Sequence, residues 1–175
     1  HTVLIQAAGS GIGSAAVQVA KLAGATIFAT ASSERKLERA KALGAHHLIN
    51  YKEDNFARRV LELTAGKGVD VIMEHVGGEV FTRSLECLKT DGVIVTVGAH
   101  AGEVVPLDII AFFRRQLRLV GSKNASTTEL RTVMDFVAQG RLKPVIHATF
   151  ALADAAEAHR VVASREIFGK VVLLP

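Results

Sequence analysis

A glycine-rich turn lies near the amino terminus, where residues 8–13 read AGSGIG between an apolar run and a helical pattern. Such a turn at the start of a helix exposes backbone N–H groups beside the positive end of the helix dipole, which favours an anion. Ser10, Gly11 and Ile12 are the candidate contacts to a pyrophosphate. Gly13 is expected to let the helix approach the first strand closely. A purely structural turn is the alternative.

The end of the second predicted strand separates the ligands that use such a turn. A dinucleotide with a free 2′-hydroxyl, or a methyl-donor nucleoside, usually meets an acidic residue about twenty residues beyond the turn. This chain has Ala31 there, and Ser32, Ser33 and Lys36 follow it. Hydroxyls and a cation bind a 2′-phosphate through charge-assisted hydrogen bonds, so the sequence favours NADP(H) over NAD(H). In the structural alternative, Ser33 caps a helix that starts at Glu34, and Lys36 is solvated.

Few residues of the sequence support disulfide formation, metal binding or proton transfer by a tyrosine–lysine pair. Cys87 is the only cysteine, which excludes an intrachain disulfide and a cysteine-built zinc site, and we expect it to be buried. The seven histidines are scattered without H-x-x-x-H or H-E-x-x-H spacing, so no metal is expected. Tyr51 is the only tyrosine, and Asn55 stands where the Tyr-Lys pair of short-chain dehydrogenases would need a lysine. We therefore expect no catalytic residue in this chain.

Alternating strand and helix patterns must position these residues. Short aliphatic runs predict strands at 2–6, 26–30, 47–49, 69–74, 93–97 and 117–120. Apolar positions spaced by three and four predict helices between them, and the alternation predicts an α/β fold, a Rossmann-type doubly wound parallel sheet. Beyond this domain, 1–122, the patterns predict a C-terminal segment, 123–175, with helices over 126–139 and 154–163 and strands near 145–150 and 170–174.

The composition fits one globular domain with an appended piece. The chain has 175 residues, of which 49% are hydrophobic and 22% charged, so it can bury a core. A net charge of +4, one tyrosine and no tryptophan leave few stacking platforms, so no nucleic-acid partner is expected. No apolar run approaches the ~20 residues that span a bilayer, and no leader is recognisable. We expect a cytoplasmic protein without a membrane partner.

The chain contains seven characteristic sequence segments: AAGSGIG, ATASSERKLERAKALGA, INY, TAGKGVDVIMEHVGG, DGVIVTVG, LRLVGS and FGKVVLLP. Together they resemble the medium-chain dehydrogenases/reductases, in particular the quinone oxidoreductase and zinc-type alcohol dehydrogenase-like members. The resemblance covers nearly the whole chain. The glycine fingerprint of the zinc alcohol dehydrogenases falls in register on Ala8, Ser10 and Gly13, so only its third glycine is present. The quinone oxidoreductase branch looks similar in this respect.

The resemblance implies hydride transfer between NADP(H) and a small carbonyl, quinone, enone or alcohol. Family members are about twice as long, with a catalytic lobe that carries the substrate pocket and, in some members, zinc. That lobe would precede His1, and residues 123–175 would return to it, so the chain alone is expected to be inactive. A stand-alone dinucleotide-binding or redox-sensing module without turnover is the alternative.

The resemblance and the strand ends also predict further cofactor contacts. Tyr51 would pack on the adenine or bind the 2′-phosphate, unless it only covers the sheet edge. Ligands of open parallel sheets lie beyond the carboxyl ends of the strands, which locates the nicotinamide end. The residues expected there are His75 and Val76, then Val97, Gly98 and Ala99, then Gly121 and Ser122.

The sixth predicted strand, 117–120, would lie at one margin of the sheet. An aliphatic edge strand offers unpaired N–H and C=O groups to a second chain, and family members commonly pair this edge across a two-fold axis. We therefore expect a homodimer through this strand. The alternative is that the helix over 126–139 or the loop at 103–106 covers the edge within one chain.

Overall fold

Six parallel strands form the main sheet in a computed structural model that describes all 175 residues. The strands are β1 (Thr2–Ile5), β2 (Thr26–Ala31), β3 (His47–Asn50), β4 (Val69–Glu74), β5 (Leu88–Thr96) and β6 (Arg118–Gly121). Their order across the sheet is β3-β2-β1-β4-β5-β6. This is the Rossmann order, so the predicted fold class is confirmed.

Helices cover both faces of this sheet. They are α1 (Gly11–Leu22), α2 (Glu34–Leu43), α3 (Phe56–Leu63), α4 (Gly78–Glu86) and α5 (Ile109–Arg114). Successive side chains of one strand point to opposite faces of the sheet. Leu4 therefore belongs to the core under α3 and α4, whereas Ile5 belongs to the core under α1 and α2. Both side chains are fully buried. Because helices cover the faces, a ligand site is expected at the edge of the sheet, in the loops that follow the carboxyl ends of the strands.

One strand begins earlier than its sequence pattern predicts. β5 starts at Leu88 rather than Val93, and Leu88 pairs with Val69 across a register shift in β4. The intervening residues 89–91 are exposed and polar, so no apolar pattern marks them as strand. The helix α5 was not predicted either, because six residues, IIAFFR, are too few to display a helical period.

The C-terminal segment follows the predicted order of elements. It contains α6 (Thr127–Ala138), β7 (Ile146–Ala151), a 3₁₀ turn, α7 (Ala155–Ala163) and β8 (Lys170–Leu174). β7 and β8 pair in parallel as a separate two-stranded sheet. Phe168 ties this segment to the main sheet, because it is 2% exposed within the core under α1 and α2. The division into domains at residue 122 stays a prediction.

The edge strand β6 is uncovered. All four of its residues are exposed, including Leu119 and Val120, so neither the helix α6 nor the loop at 103–106 covers it, and that alternative is wrong. Cys87 is fully buried as expected, and burial raises the pKa of its thiol to about 12. None of the helices is both long and apolar enough to cross a membrane.

Asp70 joins the amino ends of β1 and β4. Its Oδ2 accepts hydrogen bonds from the Thr2 backbone N at 2.7 Å and from the Thr2 hydroxyl at 2.8 Å, and Lys89 forms an ion pair with its Oδ1. Burial acts to raise the pKa of Asp70, but the hydrogen bonds from Lys89 and Thr2 outweigh it and lower the pKa to about 2. The carboxylate therefore stabilises the folded state above the ordinary aspartate pKa.

We predict that Asp70→Asn lowers the free energy of unfolding by about 2 kcal/mol at pH 7. Because the folded pKa is depressed, the carboxylate's contribution is lost as the pH falls from about 4 to about 2, and the difference between the two proteins should vanish over that range. Urea unfolding across pH measures it, with Asp135→Asn on the exposed face of α6 as the control. A difference that persists undiminished at pH 2 would contradict the assignment.

Candidate functional site

The turn between β1 and α1 brings unpaired N–H groups to one point. Ser10 is the N-cap of α1, and its Oγ accepts a hydrogen bond from the Gly13 N–H at 2.8 Å. A Cβ on Gly13 would lie 2.4 Å from the carbonyl oxygen of Ala7, so the predicted packing role of this glycine is confirmed. The N–H groups of Gly11 and Ile12 donate to no acceptor in the chain. Such a pair at a helix N-terminus fits a phosphate.

His75 connects this turn to the end of β4. Its Nε2 lies 3.0 Å from the Ser10 hydroxyl, and the side chain is buried. Burial lowers the pKa of His75, and nearby His100 lowers it further, so the imidazole is neutral at pH 7. Its Nδ1 is buried without a hydrogen-bond partner. A neutral ring fixed against Ser10 holds the two loops in one arrangement.

Glu74 shapes the next turn, between β4 and α4. This residue is fully buried, and its Oε1 accepts hydrogen bonds from the backbone N–H groups of Val76 at 2.7 Å and Gly77 at 3.0 Å. Its other oxygen is buried without a partner. Glu74 therefore has a structural role, because its buried carboxylate orders two backbone donors. The sequence analysis did not identify this residue.

The residues after β5 and β6 continue the same edge. The Val97 N–H donates to the carbonyl of Glu74 at 3.1 Å, and the Ser122 N–H donates to that of Thr96 at 2.9 Å. A Cβ on Gly98 would lie 2.9 Å from the His75 carbonyl oxygen, whereas Gly121 faces open space. Ala99 lies against the turn at Gly77. The structure thus brings together all the residues predicted for the nicotinamide end.

The structure at the end of β2 does not agree with the alternative in which Ser33 caps α2 and Lys36 is solvated. Ser33 occupies the N-cap of α2, which begins at Glu34, but its hydroxyl makes no capping bond and is buried without a partner. Lys36 is not solvated, being only 8% exposed. Its Nζ donates to the Ser32 hydroxyl at 3.2 Å and to the Arg165 carbonyl. Burial lowers the pKa of Lys36, an effect that the negative charge of Glu166 opposes.

Tyr51 lines a cavity of about 230 Å³ beyond the ends of β1, β2 and β4. The other lining residues are Gln6, Ala7, Thr30, Phe56, Val76, Val80 and Arg83. The guanidinium of Arg83 lies 4.8 Å from the centre of the Phe56 ring, which fixes one wall. This cavity is large enough for a planar heterocycle, and Thr30 near the end of β2 forms part of its wall.

The sequence analysis did not identify three further side chains at the site, Gln6, Thr30 and Lys170. Gln6 accepts a hydrogen bond from the Thr30 hydroxyl at 2.7 Å, and Thr30 in turn accepts one from the Ala7 N–H, which fixes the start of the turn. Lys170 extends over the amino end of α1, where its Nζ lies 2.7 Å from the Cβ position of Gly11. No local pattern marks Lys170, because only folding of the C-terminal segment brings it to the turn.

A zinc ion finds no ligands here. No three histidine, cysteine, aspartate or glutamate side chains lie together in a group that could hold a metal. The residues of this chain therefore do not fit zinc.

The fold and this edge define an α/β protein of the nucleotide-binding type. The pattern of the zinc-binding dehydrogenase family matches residues 11–139. A 2-haloacrylate reductase from Burkholderia sp is 36% identical over 183 residues, which cover 99% of this chain and 55% of the relative. An NAD-dependent alcohol dehydrogenase structure matches with a TM-score of 0.92 at 44% identity, covering 99% of this chain and 51% of that one.

The quinone oxidoreductase of Escherichia coli, solved with NADPH, matches with a TM-score of 0.85 at 29% identity, covering 100% of this chain and 57% of that one. The chain belongs to the medium-chain dehydrogenase/reductase superfamily and corresponds to the cofactor-binding part of its members. The resemblance drawn from the sequence is therefore confirmed. The chain spans about half the length of the curated relatives it matches.

We predict that Glu74→Ala lowers the free energy of unfolding by about 3 kcal/mol, because two N–H groups lose their acceptor inside the protein. Glu74→Gln keeps an oxygen in the same place and should cost less than about 1 kcal/mol. Urea denaturation of both variants measures the difference. If the alanine variant is as stable as the glutamine variant, Glu74 does not hold this turn.

Proposed function

We propose that this chain binds NADP(H) as the cofactor-binding part of an oxidoreductase that transfers hydride to or from a small carbonyl, quinone, enone or alcohol. The observation that carries the proposal is the pair of unpaired N–H groups at Gly11 and Ile12. Both lie at the positive end of the α1 dipole, where a pyrophosphate would complete the hydrogen bonding. Ser10 positions this turn, and Lys170 supplies a cation beside it.

The adenosine end would lie over β2 and β3. The ammonium of Lys36 has three N–H donors of which two are engaged, so one is left for a 2′-phosphate. The Ser33 hydroxyl has no partner but is buried, so it would reach a 2′-phosphate only after a rotation of its side chain. Ala31 leaves that place without a carboxylate. Ser32 and Tyr51 complete the predicted contacts. One relative was solved with NADPH and another is described as NAD-dependent, so the preference for NADP(H) rests on these side chains.

The nicotinamide end would lie along the carboxyl ends of β4, β5 and β6. Its predicted contacts are His75, Val76, Val97, Gly98, Ala99, Gly121 and Ser122, mainly through backbone groups. Bound nicotinamide supplies the hydride chemistry, and this chain contributes binding and orientation. The substrate pocket, and zinc where the parent enzyme uses it, would lie in the remainder of the longer protein. We propose a cytoplasmic location for that enzyme.

The cofactor preference is tested by titrating NADPH and NADH separately. We predict that NADPH binds at least about tenfold more tightly, and that Lys36→Met removes most of this gap while NADH affinity changes less than about twofold. The matched control is Lys41→Met, since Lys41 is an exposed lysine on the same helix. Equal affinities in the unsubstituted chain would refute the NADP(H) preference.

The same proposal includes a homodimer through β6, supported by the exposure of all four residues of this edge strand. We predict that light scattering detects a dimer and that Leu119→Lys converts it to a monomer, because a charge would have to be buried against the second chain. Leu130→Lys on the exposed surface of α6 is the control and should leave the dimer intact. A monomer at high micromolar concentration of the unsubstituted chain would exclude this pairing.

A further inference from the structure

The C-terminal segment reaches the place where the 2′-phosphate would bind. One guanidinium nitrogen of Arg35 donates to the Glu166 carbonyl at 2.9 Å and lies 3.4 Å from the Glu166 carboxylate. The neighbouring lysine, Lys36, donates to the carbonyl of Arg165. Both cations at the start of α2 are therefore engaged by two consecutive residues of one loop, 164–168, which joins α7 to β8.

Several independent contacts fix this loop. Arg165 adopts a left-handed backbone conformation with φ of 58°, and the Glu166 N–H donates to the Ser164 hydroxyl at 3.2 Å. Phe168 is buried at the base of the loop, with the guanidinium of Arg39 4.5 Å from the centre of its ring. Arg35 and Arg39 are four residues apart on α2 and so face the loop from the same side. These contacts fix the backbone of Glu166 within reach of Arg35.

We propose that Glu166 is a specificity-determining residue that lowers the preference of the site for a 2′-phosphate over a 2′-hydroxyl, an inference that rests on the proposed function. A phosphate monoester carries about −1.5 to −2 charges at pH 7, so it competes with the Glu166 carboxylate for Arg35 and is repelled by it. A ribose hydroxyl is neutral and meets neither effect. Glu166 thus weakens binding of the cofactor that carries a 2′-phosphate and leaves binding of the cofactor that lacks it unchanged.

The size of the effect follows from the exposure of the ion pair. The side chains of Arg35 and Glu166 are 65% and 69% exposed, so solvent screens the charges. We expect removal of the carboxylate to strengthen binding of a 2′-phosphate by about three- to tenfold at low salt. The gain should shrink at an ionic strength of about 0.5 M, because the Debye length then falls well below 10 Å.

The test measures binding of two nucleotides to the full chain by calorimetry. Adenosine 2′,5′-bisphosphate carries the 2′-phosphate, and 5′-AMP lacks it. Glu166→Gln should bind the bisphosphate three- to tenfold more tightly than the unsubstituted chain, with 5′-AMP affinity changed less than twofold. Glu157→Gln is the matched control, because Glu157 is another exposed glutamate of the C-terminal segment that pairs with a different residue, Arg160. It should change neither affinity.

A second arm asks whether Glu166 acts through Arg35. In an Arg35→Gln background, the gain from Glu166→Gln should fall to less than half. An undiminished gain there, an equal gain for 5′-AMP, or an equal gain in the Glu157 control would overturn the inference. No gain at all would overturn it while leaving the proposed function intact. If neither nucleotide binds the unsubstituted chain, the proposed function fails and the inference falls with it.

Discussion

The close contact between the amino end of α1 and the turn after β1 is the constraint on which the site depends. Gly13 permits this contact, because any Cβ there would overlap the Ala7 carbonyl oxygen. The N–H groups of Gly11 and Ile12 at this contact have no acceptor in the chain, and Ser10 lies beside His75. A wider separation would move Ser10 away from His75 and so uncouple the turn from the end of β4.

Buried polar side chains hold the remaining loops of the edge. Glu74 organises the turn into α4, while Gln6 and Thr30 connect the ends of β1 and β2. Hydrogen bonds in a dry interior are costly to leave unmade, so they restrict each loop to one arrangement. A cofactor that meets such loops loses little additional entropy on binding. The network is incomplete at three buried atoms without a hydrogen-bond partner, the Ser33 hydroxyl, the second carboxylate oxygen of Glu74 and Nδ1 of His75.

The sequence predicts the parts of the structure that short-range patterns encode. The alternation of strands and helices predicts the doubly wound parallel sheet, and the AGSGIG turn predicts the start of α1 and the packing role of Gly13. Contacts between distant residues have no such signal. Lys36 is expected to be solvated or to contact the ligand, but Arg165 and Glu166 approach it from the far end of the chain. The polar start of β5 is missed because its residues are exposed.

The central claim is that the backbone at the start of α1 binds a pyrophosphate. Titration of the isotopically labelled chain with NADP⁺, followed by amide NMR, tests it most directly. We predict that the amide resonances of Gly11 and Ile12 shift most among the backbone amides, because their protons gain an anionic acceptor. Largest shifts around the separate cavity lined by Thr82, Pro106 and Phe112, with Gly11 and Ile12 unmoved, would contradict it.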